Sequence, residues 1–231
     1  MLRTVFTVSA VASLASAALG HGEDVDVLIR VDDGALVTGS WSHTAESVVE
    51  ERERVFAFEW GNDEGANISD EPGFFAEAGT LAGMNWGVNF VDAVRVWNGS
   101  DFSAVSSSTV TYELLGAEMD TPGAAGGFTP GFAVPVGGGG FDDHFEIVLN
   151  APLDGSADGV YLIAMELFAT SDTLGGTPAN SETFWFVGNF GGDEEMHEAA
   201  IEYVEDVLVP APGSAALFAL SGLAATRRRR G

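Results

Sequence analysis

The chain has no cysteine and no lysine, and all nine of its basic residues are arginine. Without cysteine there are no disulfides and no thiolate metal sites, so any metal must be held by imidazole, carboxylate or backbone oxygen. The arginines crowd at the ends, as Arg3 and as Arg227, Arg228, Arg229 and Arg230. That leaves Arg30, Arg52, Arg54 and Arg95 against 35 carboxylates in between. Such a surface repels phosphate backbones, which excludes nucleic acid as a partner, and suits salty water where counterions screen its self-repulsion. Also absent are a Gly-x-Ser-x-Gly elbow and a His-Glu-x-x-His motif. Paired carboxylates carry no information in so acidic a chain, so hydrolase readings have no support. The expectation is a non-enzymatic protein.

Neither end has an apolar run of the roughly 20 residues that a comfortable membrane helix needs. Residues 1–20 instead read as a secretory signal peptide: Arg3, then an alanine-rich apolar stretch, then small residues at paired positions, Ala15 with Ala17 and Ala18 with Gly20. Cleavage after Ala17 or after Gly20 fits, and the second choice makes His21 the new N-terminus. At the other end Pro210, Ala211 and Pro212 lead into the apolar stretch 214–225, closed by the arginine run. About 12 helical residues reach only ~18 Å against a hydrocarbon core of ~30 Å, so a permanent anchor is strained. The arginines mark the cytoplasmic side, which leaves the acidic body outside.

Motif, short span and basic end together make residues 209–231 resemble the PEP-CTERM sorting signal read by exosortases, with Ala211 where the family name has glutamate. The resemblance implies an exosortase-like enzyme as partner and cleavage near Pro210. It also implies transient anchoring through the membrane and transfer of the body to the outer surface of the cell envelope.

Between these ends, residues 21–208 are expected to form one acidic domain, long enough to bury a single core. Val25, Val27, Ile29 and Val31 alternate with Asp26, Leu28 and Arg30, the pattern of a half-buried strand. Asp33-Gly34 then separates this run from 36–41, a hairpin signal because type I′ turns need positive φ, and Asn98-Gly99 repeats the device. Further strands are expected over 55–60, 86–90, 93–97, 109–115, 132–136, 144–149, 160–169 and 183–187. Glycine-rich stretches 123–127 and 137–140 read as flexible connections. Only 193–207 reads as a helix, capped by Asp193 and burying a stripe of Met196, Ala199, Ala200, Tyr203, Val204 and Val207. The fold class expected is an all-β, antiparallel β-sandwich, jelly-roll or Ig-like, with one C-terminal amphipathic helix and a short hydrophobic tail.

The body's opening, His21-Gly22-Glu23-Asp24-Val25-Asp26-Val27, resembles a PEP-CTERM group that begins on a His-Gly-Asp-Val-Asp-Val segment, with Glu23 as an insertion. The likeness continues through Asn85-Trp86-Gly87, Val96-Trp97-Asn98-Gly99 and Phe184-Trp185-Phe186-Val187-Gly188-Asn189. Some members are repressed by a zinc-sensing regulator, so the resemblance implies a link to zinc regulation and no reaction.

Two of the four histidines stand among co-ligands. On one strand Asp142, His144 and Glu146 project from one face, and His21 with Asp24 or Asp26 is the candidate second segment of a zinc shell. His197 reads as a polar helix-face residue and His43 as a loop residue. Were His21 the mature terminus, its amine and imidazole would offer a copper chelate like that of histidine-brace oxygenases, although the surrounding motifs are unlike those enzymes. The tryptophans, most of them expected in the core, offer the remaining ones for stacking on an envelope or matrix polysaccharide. The leading expectation is a surface-displayed adhesion, structural or ligand-binding protein; the alternative is a zinc-binding accessory protein.

Overall fold

The computed structural model describes residues 25–61, 65–171 and 176–209. The first half of the described chain holds β1 (Val25–Asp32), β2 (Ala35–Ser42), β3 (Ser47–Glu50), β4 (Val55–Glu59), β5 (Ile68–Ser69), β6 (Phe74–Ala76), β7 (Asn85–Phe90), β8 (Arg95–Val96) and β9 (Ala104–Val105). The second half holds β10 (Thr109–Leu114), β11 (Ala117–Asp120), β12 (Val134–Pro135), β13 (Phe141–Asp143), β14 (Glu146–Asn150), β15 (Gly159–Thr170) and β16 (Phe184–Phe190), followed by α1 (Glu194–Tyr203). Each strand expected from the sequence has a counterpart here. The short strands β3, β5, β6, β9 and β11 were not anticipated, because two to four residues give no periodicity to read.

These strands form three sheets, ordered β13-β6-β1-β2-β3, β11-β10-β14-β5 and β12-β7-β15-β16-β4, with β8 and β9 attached to the last through β15. The chain is mostly β, but its sheets are not purely antiparallel: β1 pairs in parallel with β6, and β4 with β16. Both pairs join strands far apart in sequence, where a crossover replaces the hairpin.

The β1–β2 hairpin forms as the sequence predicts. Asp33 (φ 49°) and Gly34 (φ 80°) occupy the two central positions of the turn, a conformation glycine adopts without steric cost. A two-residue turn fixes Asp32 opposite Ala35, and counting back along the strands sets Asp26 opposite Trp41.

One core draws on all three sheets. Phe74 of β6, Tyr112 of β10 and Phe186 of β16 are each fully buried, and Phe74 and Phe186 stack with ring centroids 5.9 Å apart. Of the five tryptophans, Trp60, Trp86 and Trp185 are buried, whereas Trp41 and Trp97 are half-buried.

β15 is apolar on both faces. Tyr161, Ile163, Met165 and Leu167 enter the main core, while Val160, Leu162 and Ala164 meet Ala200, Ile201 and Val204 beneath the helix. Asp193 caps α1 by accepting the Glu195 N–H at 2.8 Å, as expected, but the last turn, Val204–Leu208, widens to a π-helical turn. The buried stripe is also displaced from the expected one: His197, Ala200, Ile201 and Val204 face inward, while Ala199 and Val207 are exposed. His197 rotates the face inward because its Nε2 meets the Val187 carbonyl oxygen at 3.0 Å, which satisfies the one polar group the packing would otherwise strand.

Among the described residues no helix is long and apolar enough to cross a membrane. The segment 1–20 expected to be a signal peptide, His21 and Asp24, the Pro210, Ala211 and Pro212 motif, and the Arg227, Arg228, Arg229 and Arg230 run all lie outside the described residues.

Candidate metal centre

Asp26 is the anomaly from which the site grows. It alternates onto the same face of β1 as Leu28, yet it is a carboxylate with no exposed surface. Its charge is tolerable there only with partners. The Gly73 N–H donates to Oδ1 at 2.8 Å, and His43 Nε2 lies 2.5 Å from Oδ2.

The sheet register supplies those partners. Trp41 of β2 stands opposite Asp26, so His43, two residues further on, returns to the same face. On the other side β6 runs parallel to β1, with Val27 opposite Phe74, which sets Gly73 against Asp26. β13 then pairs with β6, with Asp142 opposite Phe75, and His144 follows two residues later. On this face Trp41 and Phe75 stack at 4.3 Å.

Ligand atoms from Asp26, His43, Asp142 and His144 all lie within 4.8 Å of one another. His144 Nε2 is 3.3 Å from Asp142 Oδ1 and 3.9 Å from Asp26 Oδ2, while His43 Nδ1 is 3.9 Å from Asp142 Oδ2. His144 Nδ1 lies 3.0 Å from the Asp70 carbonyl oxygen, which only accepts, so Nδ1 carries a proton. In the neutral ring Nε2 is then the lone pair, aimed at the two aspartates, the tautomer that outer-shell carbonyls impose on metal-binding histidines. Gly73 lets this ring lie flat against the backbone, since a Cβ there would stand 2.6 Å from His144 Cε1.

The electrostatics follow from crowding acids and imidazoles together. The hydrogen bond to Asp26 raises the His43 pKa above its ordinary value. Burial pushes His144 downward, but Asp26, Glu71, the Asp70 carbonyl and Asp142 outweigh it and raise that ring too. Glu71 is lifted to about 7, mainly by burial and further by Asp26, against the pull of His144 3.7 Å away.

Of the residues proposed from sequence, Asp142 and His144 come together, and Asp26 is the N-terminal partner among those considered. Glu146 is not one of the four. The chain leaves β13 and its sheet at His144, passes the core through Phe145, which is 1% exposed, and enters β14 in another sheet, where Glu146 lies opposite Glu113. The single strand expected over 144–149 begins two residues later, so the one-face spacing breaks at that crossing.

His43 was missed as a ligand, although the Asp33-Gly34 turn contained the signal: its register places residue 43 diagonally beside residue 26. His197 is corrected from a helix-surface residue to one only 4% exposed. No protein-family model matches the chain, and no curated protein matches it.

Proposed function

We propose that this chain is an exported, surface-held, non-enzymatic protein whose body binds a divalent cation, zinc being the best match, through Asp26, His43, Asp142 and His144. The observation that carries the reading is the convergence of two imidazoles and two carboxylates within 4.8 Å around a fully buried aspartate. Imidazole and carboxylate suit zinc, and four protein ligands complete a tetrahedral shell, the arrangement of closed sites, whereas catalytic ones keep a position for water. The acidic body favours capture by raising the local concentration of cations.

We read the body as a β-sandwich, supported by the inward rings that the three sheets contribute to one core. Export through the N-terminal segment and sorting by an exosortase-like enzyme through Pro210, Ala211 and Pro212 complete the proposal, with the arginine run as the basic stop. An envelope polysaccharide remains a second partner class, favoured by the half-buried Trp41 and Phe75 stack beside the centre.

Calorimetric titration of the purified exported protein with zinc tests the binding. Saturable uptake that loses an equivalent in His144→Ala is expected, and equal uptake by that variant overturns the assignment. Mass spectrometry of the mature protein tests the sorting: a C-terminus near Pro210 is expected, and an intact Gly231 in a host that has the sorting enzyme counts against it.

A further inference from the structure

A second group of ligating side chains stands apart from this centre, on another sheet and sharing no residue with it. Glu59 ends β4, while Glu194 and His197 lie three apart on the first turns of α1, and their ligand atoms fall within 4.8 Å of one another. A Glu-x-x-His spacing places both side chains on one helical face, which is how carboxylate metal sites in helical bundles are built.

The imidazole carries the argument. The His197 side chain is 5% exposed, and its Nε2 lies 3.0 Å from the Val187 carbonyl oxygen. A carbonyl only accepts, so Nε2 holds the proton, and in the neutral ring the Nδ1 lone pair points outward. What it meets is another electron-rich group, Glu59 Oε1, at 3.2 Å. Two lone pairs so placed repel unless a positive charge lies with them.

Glu59 is also held in position. Asn189 Nδ2 donates to Glu59 Oε1 at 3.0 Å and to the Gly192 carbonyl at 3.3 Å, while Asn189 Oδ1 accepts the Gly192 N–H at 3.0 Å. A fixed amide behind the carboxylate and a backbone carbonyl behind the imidazole are the outer-shell supports that metal ligands use. The positive end of the helix opposes a cation with roughly half a unit of charge. Asp193, Glu194 and Glu195 more than offset it.

We infer a second, independent divalent-cation site at the start of α1, with Glu59, Glu194 and His197 as its protein ligands and one position left to water. One imidazole and two carboxylates suit a borderline ion such as zinc. Glu59 and Glu194 open the site to solvent.

Zinc itself is the probe, counted by elemental mass spectrometry after dialysis of the full exported protein in excess magnesium, which occupies the diffuse carboxylate surface. Wild type retains two equivalents. The Glu59→Gln/Glu194→Gln double variant, which alters only solvent-facing side chains, retains one, and the second binding step weakens by at least about 100-fold. Asp142→Asn/His144→Gln removes the other equivalent, so the two centres are scored separately. Addition of zinc also moves the His197 Nδ1 resonance in nitrogen NMR spectra. An unchanged zinc count in Glu59→Gln/Glu194→Gln overturns the inference whatever happens at Asp142 and His144. So does a His197 ring that stays doubly protonated in saturating zinc, because a plain ion pair with Glu59 then accounts for the contact.

Discussion

Asp26 and Glu59 are both strand carboxylates facing a histidine, yet Asp26 is fully buried whereas the Glu59 side chain is 45% exposed. Around Asp26 the charge is inside and the imidazoles of His43 and His144 stand toward the rim. Around Glu59 the imidazole of His197 is inside and the carboxylates stand at the rim. Which partner is buried decides what each cluster does for the fold. A buried charge makes its hydrogen bonds structural as well as ligating, while a rim charge can be removed with little consequence beyond the lost ligand.

The largest expected effect tests that contrast. Asp26→Ala leaves the Gly73 N–H only its longer bond to Glu71 Oε2, at 3.3 Å, and leaves His43 without its closest partner, so the metal-free protein should lose about 1–3 kcal/mol of stability. Glu59→Gln, which removes the charge but keeps an oxygen for Asn189 Nδ2, should lose less than about 1 kcal/mol. Urea unfolding of both variants in chelator measures the two costs, and a loss at Glu59 equal to that at Asp26 would dissolve the distinction.

pH tests the Asp26 centre next. His43, His144 and Glu71 all have raised folded-state pKa values, Glu71 reaching about 7. The stability such groups contribute to the metal-free protein is fully present below their unfolded values, about 4.5 for Glu and 6.5 for His. It is lost as pH climbs through the folded values. Zinc runs the other way, because protons and metal compete for the same lone pairs. Between about pH 5.5 and pH 8 the metal-free Tm should therefore fall, while the rise in Tm caused by zinc should grow. Thermal unfolding across that range checks both slopes. A zinc effect that shrinks toward pH 8 would remove Asp26, His43 and His144 from the ligand set.

How much of this was legible in the sequence varies with the distance over which contacts act. The β1–β2 hairpin, β15 and the Asp193 cap are local, and periodicity or turn chemistry announces them. The parallel partners of β1 and β16 are long-range, and nothing within a strand names its neighbour. β6 is the costly omission, since its three residues fall below any periodic signal and yet it carries Gly73 to Asp26. Half of the centre, Asp142 and His144, was readable as a pair of donors two apart. Asp26 was visible only as a candidate, because alternation marks it as facing Leu28's side without saying that this side is covered. His197 was misjudged because helix polarity was read from residue type, and its burial rests on the Val187 carbonyl across the sheet.

A smaller effect probes how far the centre is prearranged. Gly73→Ala replaces no ligand, but its Cβ would stand 2.6 Å from His144 Cε1 and 2.8 Å from Nε2, so the ring must shift. Zinc affinity should fall about 10-fold, the scale of outer-shell changes, with the circular dichroism spectrum preserved. An unchanged affinity would mean that the ring position packed against Gly73 is not the one that binds.

The smallest expected effect is at Glu146, and it discriminates between two pictures of the same segment. If 142–146 were one strand, Glu146 would share a face with Asp142 and His144, and Glu146→Gln would weaken zinc binding as strongly as a change at Asp142. Because the chain changes sheets after His144 and commits Phe145 to the core, Glu146 stands opposite Glu113 on β10 instead. Glu146→Gln should therefore leave zinc affinity within about twofold of wild type, the small change expected on removing an exposed charge, whereas Asp142→Asn lowers it by at least about 100-fold. Parallel calorimetric titrations of the two variants give the ratio. A ratio near one would return the centre to the single-strand arrangement and detach it from the β13–β6–β1–β2 register on which Asp26 and His43 depend.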